Sequence, residues 1–170
     1  MERVIPLSRR KGDIVVLAFF WLNLLLITYI VDVEQIVLPD ISGDWEYPIW
    51  PLPFMVDIIH WYGNNFDPVL IARPTWWRMT IWIDSLFFGP FYVFGIYAWT
   101  KGKNWIRVPS IIWASVLITN VTIILGEEFM GAHPTPAPLM VLALNAPWVL
   151  VPAYVIKRMW HGDTPFTEDT

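Results

Sequence analysis

Two aspartates stand out because they fall in or beside long apolar stretches. Asp84 lies inside residues 79–99, and Asp32 directly follows the charge-free run 14–31. Two carboxyls held close together in oily surroundings cannot both ionise cheaply, so one of them should hold a proton near neutral pH. Such a pair could bind a lipophilic cation or move a proton on an apolar substrate.

Two asparagines fall at a similar depth in other apolar stretches. With a helical rise of about 1.5 Å per residue, Asp84 lies roughly 8 Å, Asn120 roughly 9 Å and Asn145 roughly 10 Å from the same end of the helices. A first helix that continues through residues 35–39 would bring Asp32 to a similar depth. The spacing therefore predicts one polar layer to which four helices contribute.

Each of these residues also has an ordinary structural interpretation. Asp32 could be an interfacial residue at a helix end, and the role of Asp84 could be purely structural. Asn120 and Asn145 could each make an interhelical hydrogen bond. Trp148 could serve in packing rather than in a cation–π contact. At the level of the sequence these alternatives stay open.

Aromatic residues and helix breakers surround the predicted layer. Trp148 comes three residues after Asn145 and therefore shares its helix face. The second apolar stretch carries a group of aromatic residues: Phe87, Phe88, Phe91 and Tyr92. Prolines interrupt the helical hydrogen bonding at three places: Pro90, Pro147 and Pro152. The pattern predicts a dry aromatic pocket around the carboxyls.

The chain does not carry the side-chain pattern of a metal or thiol site. It has no cysteine, and His60, His133 and His161 lack the spacing of metal ligands. We expect Glu127 and Glu128 to lie in a solvated loop. The sequence therefore predicts neither a bound metal nor a cofactor.

Composition decides the broad class of protein. The chain has 170 residues, of which 56% are hydrophobic and 15% charged, and its mean hydropathy is +0.49. A soluble globule of this size could not bury so much apolar surface, since soluble domains carry about 25% charged residues. Composition thus excludes a disordered chain, a nucleic-acid-binding protein and an ordinary cytosolic enzyme.

Four stretches have the roughly 20 apolar residues that a bilayer-spanning helix needs. They are residues 14–31, 79–99, 108–126 and 138–156. No small-residue cleavage site follows the first, so we interpret it as a retained helix rather than a signal peptide. The predicted fold is an all-α integral membrane protein, a four-transmembrane-helix bundle, with one domain over 14–156 between tails 1–13 and 157–170.

The basic residues predict an orientation. Most of them flank the spans on one side: Arg3, Arg9, Arg10, Lys11, Lys101, Lys103, Arg107, Lys157 and Arg158. By the positive-inside rule this side is cytosolic, so both termini are expected in the cytosol. Arg73 and Arg78 are the exceptions to the pattern.

The lumenal loop of about 38–75 is too long for a simple connection. It contains the proline- and aromatic-rich run 45–51, and residues 54–62 have the pattern of a short amphipathic helix. We expect this loop to form a lumenal cap over the mouth of the bundle.

Several motifs, in their order and spacing, carry a family resemblance over roughly residues 14–156. They are Asp32 with Val37-Leu38-Pro39, Trp61-Tyr62 with Phe66-Asp67-Pro68-Val69-Leu70, Asp84 with Pro90, Lys101-Gly102 with Trp105-Ile106-Arg107 and Pro109-Ser110-Ile111-Ile112, and Ala146-Pro147 with Pro152. Together they resemble the EXPERA superfamily, which includes sigma-2 receptors and the emopamil-binding sterol isomerases. The run Asn145-Ala146-Pro147-Trp148 with Val151-Pro152 is similar to the isomerases in particular.

The resemblance implies an EXPERA fold of four transmembrane helices, often a homodimer, in the endoplasmic reticulum. It also implies a ligand cavity inside the bundle that opens toward the lipid. In sigma-2-like proteins, residues at the positions of Asp32 and Asp84 face a bound amine or sterol. The carboxylate matching Asp67 has a more structural role there.

The isomerase resemblance is incomplete. Asp32 lies where the isomerases have a catalytic Glu, but Thr28 stands where they have a His. Their second Glu would fall near Ile81 rather than at Asp84. In that family the residue matching Asn145 positions the catalytic groups.

Three functions remain open. The first is a binding protein for sterols, terpenoids or cationic amphiphiles. The second is a cofactor-independent isomerase or cyclase of sterols or terpenoids. The third is a structural or trafficking subunit whose Trp-rich loop contacts a partner membrane protein.

The first two functions share a predicted site. The expected ligand-binding residues are Asp32, Asp84, Thr28, Asn120, Asn145, Trp148, Phe88 and Tyr92. In an enzyme the catalytic residues would be Asp32, Asp84 and Asn145. A structural role is predicted for Asp67, Pro90 and Pro147.

Overall fold

Four long apolar helices make up most of the chain in the computed structural model, which describes residues 2–169. We name them spans one to four: Lys11–Val37, Thr75–Lys101, Asn104–Met130 and Pro138–Trp160. Each contains the stretch predicted from the sequence and extends beyond it. The four-helix transmembrane fold is confirmed. One end of the bundle, the termini end, carries both chain ends, and the other, the cap end, carries the long loop.

Spans one and two each contain a segment with wider, π-helical turns. These segments are Asn23–Asp32 in span one and Asp84–Phe88 in span two. The second is followed by Pro90, which has no N–H to donate to the carbonyl of Leu86, so regular α-helical bonding cannot continue there. Such wide turns are frequent at functional sites. Asp32 ends the first segment and Asp84 begins the second.

The loop at the cap end folds into two helices. The cap helix, Pro53–Phe66, contains the predicted 54–62 helix and is longer. A short helix, Pro68–Ala72, follows. Both begin with proline, whose fixed φ suits the first turn of a helix. The side chain of Asp67 caps the short helix, because it accepts a hydrogen bond from the N–H of Leu70 at 3.2 Å.

A buried ion pair, formed by Glu34 and Arg73, fastens the cap to the bundle. Arg73 donates to both carboxylate oxygens of Glu34, at 2.9 and 2.8 Å, and to the carbonyls of Leu38 and Leu70. His60 of the cap helix lies 2.8 Å from the same carboxylate. The cluster joins the end of span one, the cap helix and the turn before span two. Arg73, an exception to the charge pattern, is thus a structural residue.

The termini end is closed by a two-stranded antiparallel sheet that was not predicted. Strand β1, Glu2–Val4, pairs with strand β2, Thr167–Asp169. Phe166 is fully buried beside them, with the guanidinium groups of Arg10 and Arg158 at 4.9 and 5.4 Å from its ring centre. Both arginines also bond the buried carboxylate of Asp13. The expected tails therefore pack against the bundle.

Two apolar clusters form the core. The larger fills the termini end and is rich in aromatic rings, among them Phe20, Phe91, Tyr92, Trp99 and Trp113. The smaller lies under the cap: Ile59, Val69, Leu70, Trp77 and Ile81. Members of both clusters line a cavity inside the bundle.

Replacing Arg73 by Ala should strongly destabilise the protein. Glu34, which is fully buried, would keep His60 as its one side-chain partner within residues 2–169. Breaking one side of a buried ion pair costs about 3–5 kcal/mol. We expect a large fall in the midpoint of thermal unfolding, followed by tryptophan fluorescence. The control is Lys101→Ala, an exposed residue. A fall no larger than that of the control would contradict the role of Arg73.

Candidate functional site

The cavity inside the bundle has a volume of about 610 Å³, within the usual range for small-molecule sites. Its walls come from all four spans and from the cap helix. Most of the lining is apolar, with a small polar set: Asp32, Gln35, Tyr62, Asp67, Thr80, Asp84, Asn120 and Asn145. The four residues predicted to share one polar layer are all in this set.

Asp32 and Asp84 meet at the wall of the cavity. Their side chains are hydrogen-bonded to each other. A hydrogen bond between two carboxyl groups requires a proton on one of them. Asp32 is 4% exposed and Asp84 is half-buried, so Asp84 presents more of its surface to the cavity.

Thr28 holds the second member of the pair. Its hydroxyl donates to Oδ1 of Asp84 at 2.6 Å. Thr28 is fully buried and does not line the cavity, and the same is true of Tyr92. Both lie behind the wall rather than at its surface. Thr28 thus orients a carboxyl and does not face the cavity.

The other residues predicted to bind the ligand line the cavity, and one of them also bonds the backbone. Phe88, Asn120, Asn145 and Trp148 line the cavity. The carboxamide of Asn145 donates to the carbonyl one turn earlier, that of Val141, at 2.9 Å.

The two prolines predicted to be structural lie in the first turns of helical segments. Pro90 is the second residue of the segment Gly89–Lys101, and Pro147 is the first residue of Pro147–Trp160. A missing N–H costs little at such positions.

Asn23 is a site residue that sequence reasoning missed. It is fully buried, donates to the carbonyl of Phe19 at 2.8 Å, and accepts a bond from the indole N–H of Trp148 at 2.8 Å. The ring of Phe19 packs edge-on against Trp148, with 5.6 Å between centroids. Together they fix the indole that lines the cavity. The sequence signal that could have identified Asn23 is its carboxamide side chain inside an apolar run.

A second carboxyl pair, Asp67 with Glu128, lies near the cap. Their side chains are hydrogen-bonded, and both are buried. The expectation that Glu127 and Glu128 lie in a solvated loop is therefore wrong, because span three continues to Met130 and carries Glu128 into the interior. Burial raises the pKa of Asp67, and hydrogen bonds from Glu128 and from the backbone of Leu70 oppose the shift.

Tyr62 lines the cavity close to this second pair. Burial, with the negative charge of Asp67 and then that of Glu128, raises the pKa of Tyr62 to about 12. The phenol therefore stays neutral and can present an O–H donor to the cavity.

The cavity opens sideways between spans one and four, below the cap helix. Several lining residues are exposed there: Leu26, Phe54, Ile58, Trp61 and Leu144. These residues make an apolar rim, which suits an opening toward hydrocarbon rather than water.

No cluster suited to a metal ion was found in the part of the chain that the structure describes. His60 of the cap helix bonds Glu34.

Comparison with known proteins gives the family of this four-helix architecture. The family model described as EXPERA (EXPanded EBP superfamily) matches residues 54–159, more than half of the chain. The chain belongs to the EXPERA family. Because it has four apolar helices and this membership, it is an integral membrane protein. The matched region includes Asp84 and begins after Asp32.

Three similar proteins are each named Sigma intracellular receptor 2. The chain is 29% identical to Sigma intracellular receptor 2 of Homo sapiens over 168 residues, covering 91% of this chain and 90% of the relative. The Macaca fascicularis protein is 29% identical over 169 residues, with the same coverage. The Xenopus tropicalis protein is 28% identical over 152 residues, covering 83% of this chain and 84% of the relative.

Asn23 and Trp148 should be energetically coupled. Asn23→Leu leaves the indole N–H without its partner, and Trp148→Phe leaves the Asn23 carbonyl without its donor. Each single change should destabilise the fold by about 1–3 kcal/mol, the cost of one buried unsatisfied group. The double variant should lose less than the sum of the two, by about 0.5–3 kcal/mol. Thermal unfolding of the four proteins measures this coupling, and strictly additive losses would count against it.

Proposed function

We propose that the protein is a membrane-embedded binding protein for sterols, terpenoids or cationic amphiphiles. One observation carries the proposal: a hydrogen-bonded carboxyl pair, Asp32 with Asp84, in an otherwise mostly apolar cavity of about 610 Å³. Membership of the EXPERA family and similarity to proteins named as sigma receptors support it.

The carboxyl pair as a whole serves as the ligand's partner. Thr28 fixes the side chain of Asp84 by donating to its Oδ1 at 2.6 Å. Both carboxyls line the cavity, and Asp84 is the less buried of the two. A lipophilic ammonium would meet the carboxylate of the pair away from water, where an ion pair with good geometry is strong. A sterol hydroxyl could donate to the same pair.

The apolar walls select the rest of the ligand. Phe88, Leu117 and Val121, which also belong to the larger apolar cluster, line part of the cavity. Trp148 adds an aromatic surface whose position is fixed by Asn23. A rigid hydrocarbon ring system loses little entropy when it fills such a space. An amine near the indole would also gain cation–π attraction.

Replacing Asp32 or Asp84 by Asn should abolish binding of a cationic amphiphile. Asn at either position breaks the carboxyl pair that holds the ammonium, so we expect the Kd for tritiated N,N-dimethyldodecylamine to rise at least tenfold in each variant, measured by equilibrium binding to purified protein. Asp44→Asn, an exposed change in the loop, is the matched control. Unchanged affinity in both cavity variants would refute the assignment.

An isomerase is the second candidate, and one observation favours it. Two carboxyls that share one proton can act as acid and base, and the aromatic rings of Phe88 and Trp148 could stabilise a carbocation. One carboxyl would donate a proton to an alkene carbon, and a carboxylate would remove another from a neighbouring carbon. Asn145 would orient the substrate. A cyclase would use the same acid on a different substrate.

Deuterium incorporation separates the two functions. Under the binding proposal, incubation of purified protein with a Δ8-sterol in deuterated water should yield no isomer and no deuterium in the recovered sterol, measured by mass spectrometry. A shifted double bond carrying one deuterium, lost in Asp84→Asn, would establish the isomerase instead. The Asp32→Asn and Asp84→Asn variants remain informative in this assay, because their ligand binding is measured separately.

The placement in the cell is also proposed. The basic residues that flank the spans lie at the termini end, which supports an endoplasmic reticulum protein with both termini in the cytosol and the cap in the lumen. A homodimer is proposed on the family resemblance. The trafficking alternative is less favoured, because Trp45 packs on His60 and Trp50 donates to the carbonyl of Tyr29, so these loop aromatics are engaged within the chain.

A further inference from the structure

A second cavity, the outer groove, lies at the cap end between the end of span one and the start of span two. Its volume is about 370 Å³. One part of its wall is polar, with Arg78 and Thr75, and another is apolar, with Ile36, Met79 and Trp82. Met79 and Trp82 are 50% and 43% exposed, so the apolar part faces outward. A membrane protein presents this surface to lipid.

Arg78 differs from the other arginine at the cap end. Arg73 uses its guanidinium on Glu34 and on two carbonyls. Arg78 makes one long bond, 3.5 Å to the hydroxyl of Thr75, and among the described residues it takes part in no salt bridge. Its Nε is buried and has no partner within residues 2–169. A guanidinium offers five N–H donors, so most of its capacity is unused.

The backbone around Arg78 also favours an anion. Span two begins at Thr75, and Pro74 before it provides no side-chain cap in the described structure. The first N–H groups of a helix lack internal partners and point outward, which attracts phosphate groups. This feature adds to the unused guanidinium in the same groove.

The apolar wall continues from Arg78 into the membrane. Met79 and Trp82 follow on the same helix, about 6 Å further along the axis at Trp82. An anion with a hydrocarbon tail could therefore use both parts of the groove at once. Free phosphate would use only the polar part of the groove, at Arg78 and Thr75.

A carboxylate next to the groove narrows the choice of headgroup. Asp40 directly follows the lining residue Pro39 and is exposed. Hydrogen bonds from the hydroxyl and backbone N–H of Ser42 lower the pKa of Asp40, and the positive charge of Arg78 adds to this effect. Both bonds go to Oδ1 of Asp40. A purely anionic headgroup would be repelled by Asp40, whereas an ammonium would be attracted.

We propose that the outer groove binds a zwitterionic phospholipid. The phosphate lies on Arg78 and Thr75, the ammonium faces Asp40, and an acyl chain covers Met79 and Trp82. This site is separate from the ligand cavity, so it does not depend on the proposed function.

Native mass spectrometry of the full chain tests the proposal. Purified protein is exposed in detergent to palmitoyl-oleoyl phosphatidylethanolamine, and bound lipid is counted. We expect one retained lipid per chain, lost at least tenfold in Arg78→Gln and partly retained in Arg78→Lys. Lys101→Gln, an exposed cation at the termini end, is the matched control and should bind as the unchanged protein does.

Two further arms distinguish the possible ligands. Inorganic phosphate at millimolar concentration should not displace the lipid, and displacement would mean that the groove recognises free phosphate. Asp40→Asn should reduce the preference for phosphatidylethanolamine over phosphatidylglycerol. Equal retention by Arg78→Gln and the unchanged protein would overturn the proposal. Arg78→Gln should bind N,N-dimethyldodecylamine as the unchanged protein does. A failure of the lipid proposal can therefore be distinguished from a failure of the proposed function at Asp32 and Asp84.

Discussion

Two carboxyl groups share a hydrogen bond at the edge of a cavity that is otherwise mostly apolar. Removing a carboxyl from water is costly, so such a pair persists only where the fold supplies a proton, a hydroxyl and rigid walls. Here Asp32 and Asp84 share a hydrogen bond, and the hydroxyl comes from Thr28. This pair is the feature that gives the cavity its chemistry.

The rest of the structure positions this contact. The wide-turn segments of spans one and two each place an aspartate at one of their ends, so the irregular backbone and the carboxyls occur together. The aromatic core at the termini end supports one wall of the cavity, and Asn23 fixes the indole of Trp148 on another. Placing polar groups in a membrane interior costs free energy, and here these groups hold other side chains in place.

The cap makes the cavity a separate environment. Glu34, Arg73 and His60 fasten it by a charged cluster removed from water, while the exposed apolar residues of the cap helix border the side opening. A rigid cap and a side opening with an apolar rim suit a ligand that arrives from the bilayer rather than from the aqueous phase. Outside the bundle, Arg78 stays at the boundary, where a charge can meet lipid headgroups.

The sequence by itself determined the membrane class, the four spans and the residues of the polar layer. A long apolar run, and a polar residue such as Asp84 or Asn120 inside one, are local features of the sequence. They can be recognised without knowing how the helices pack. It did not reveal the partners of Glu34, Arg73 or Asn23, and it placed Glu128 wrongly in a loop, because helix ends and long-range pairs depend on what the neighbouring helices present. Which of Asp32 and Asp84 receives a hydroxyl donor was decided only by the tertiary structure, since the packing of spans one and two brings Thr28 to Asp84.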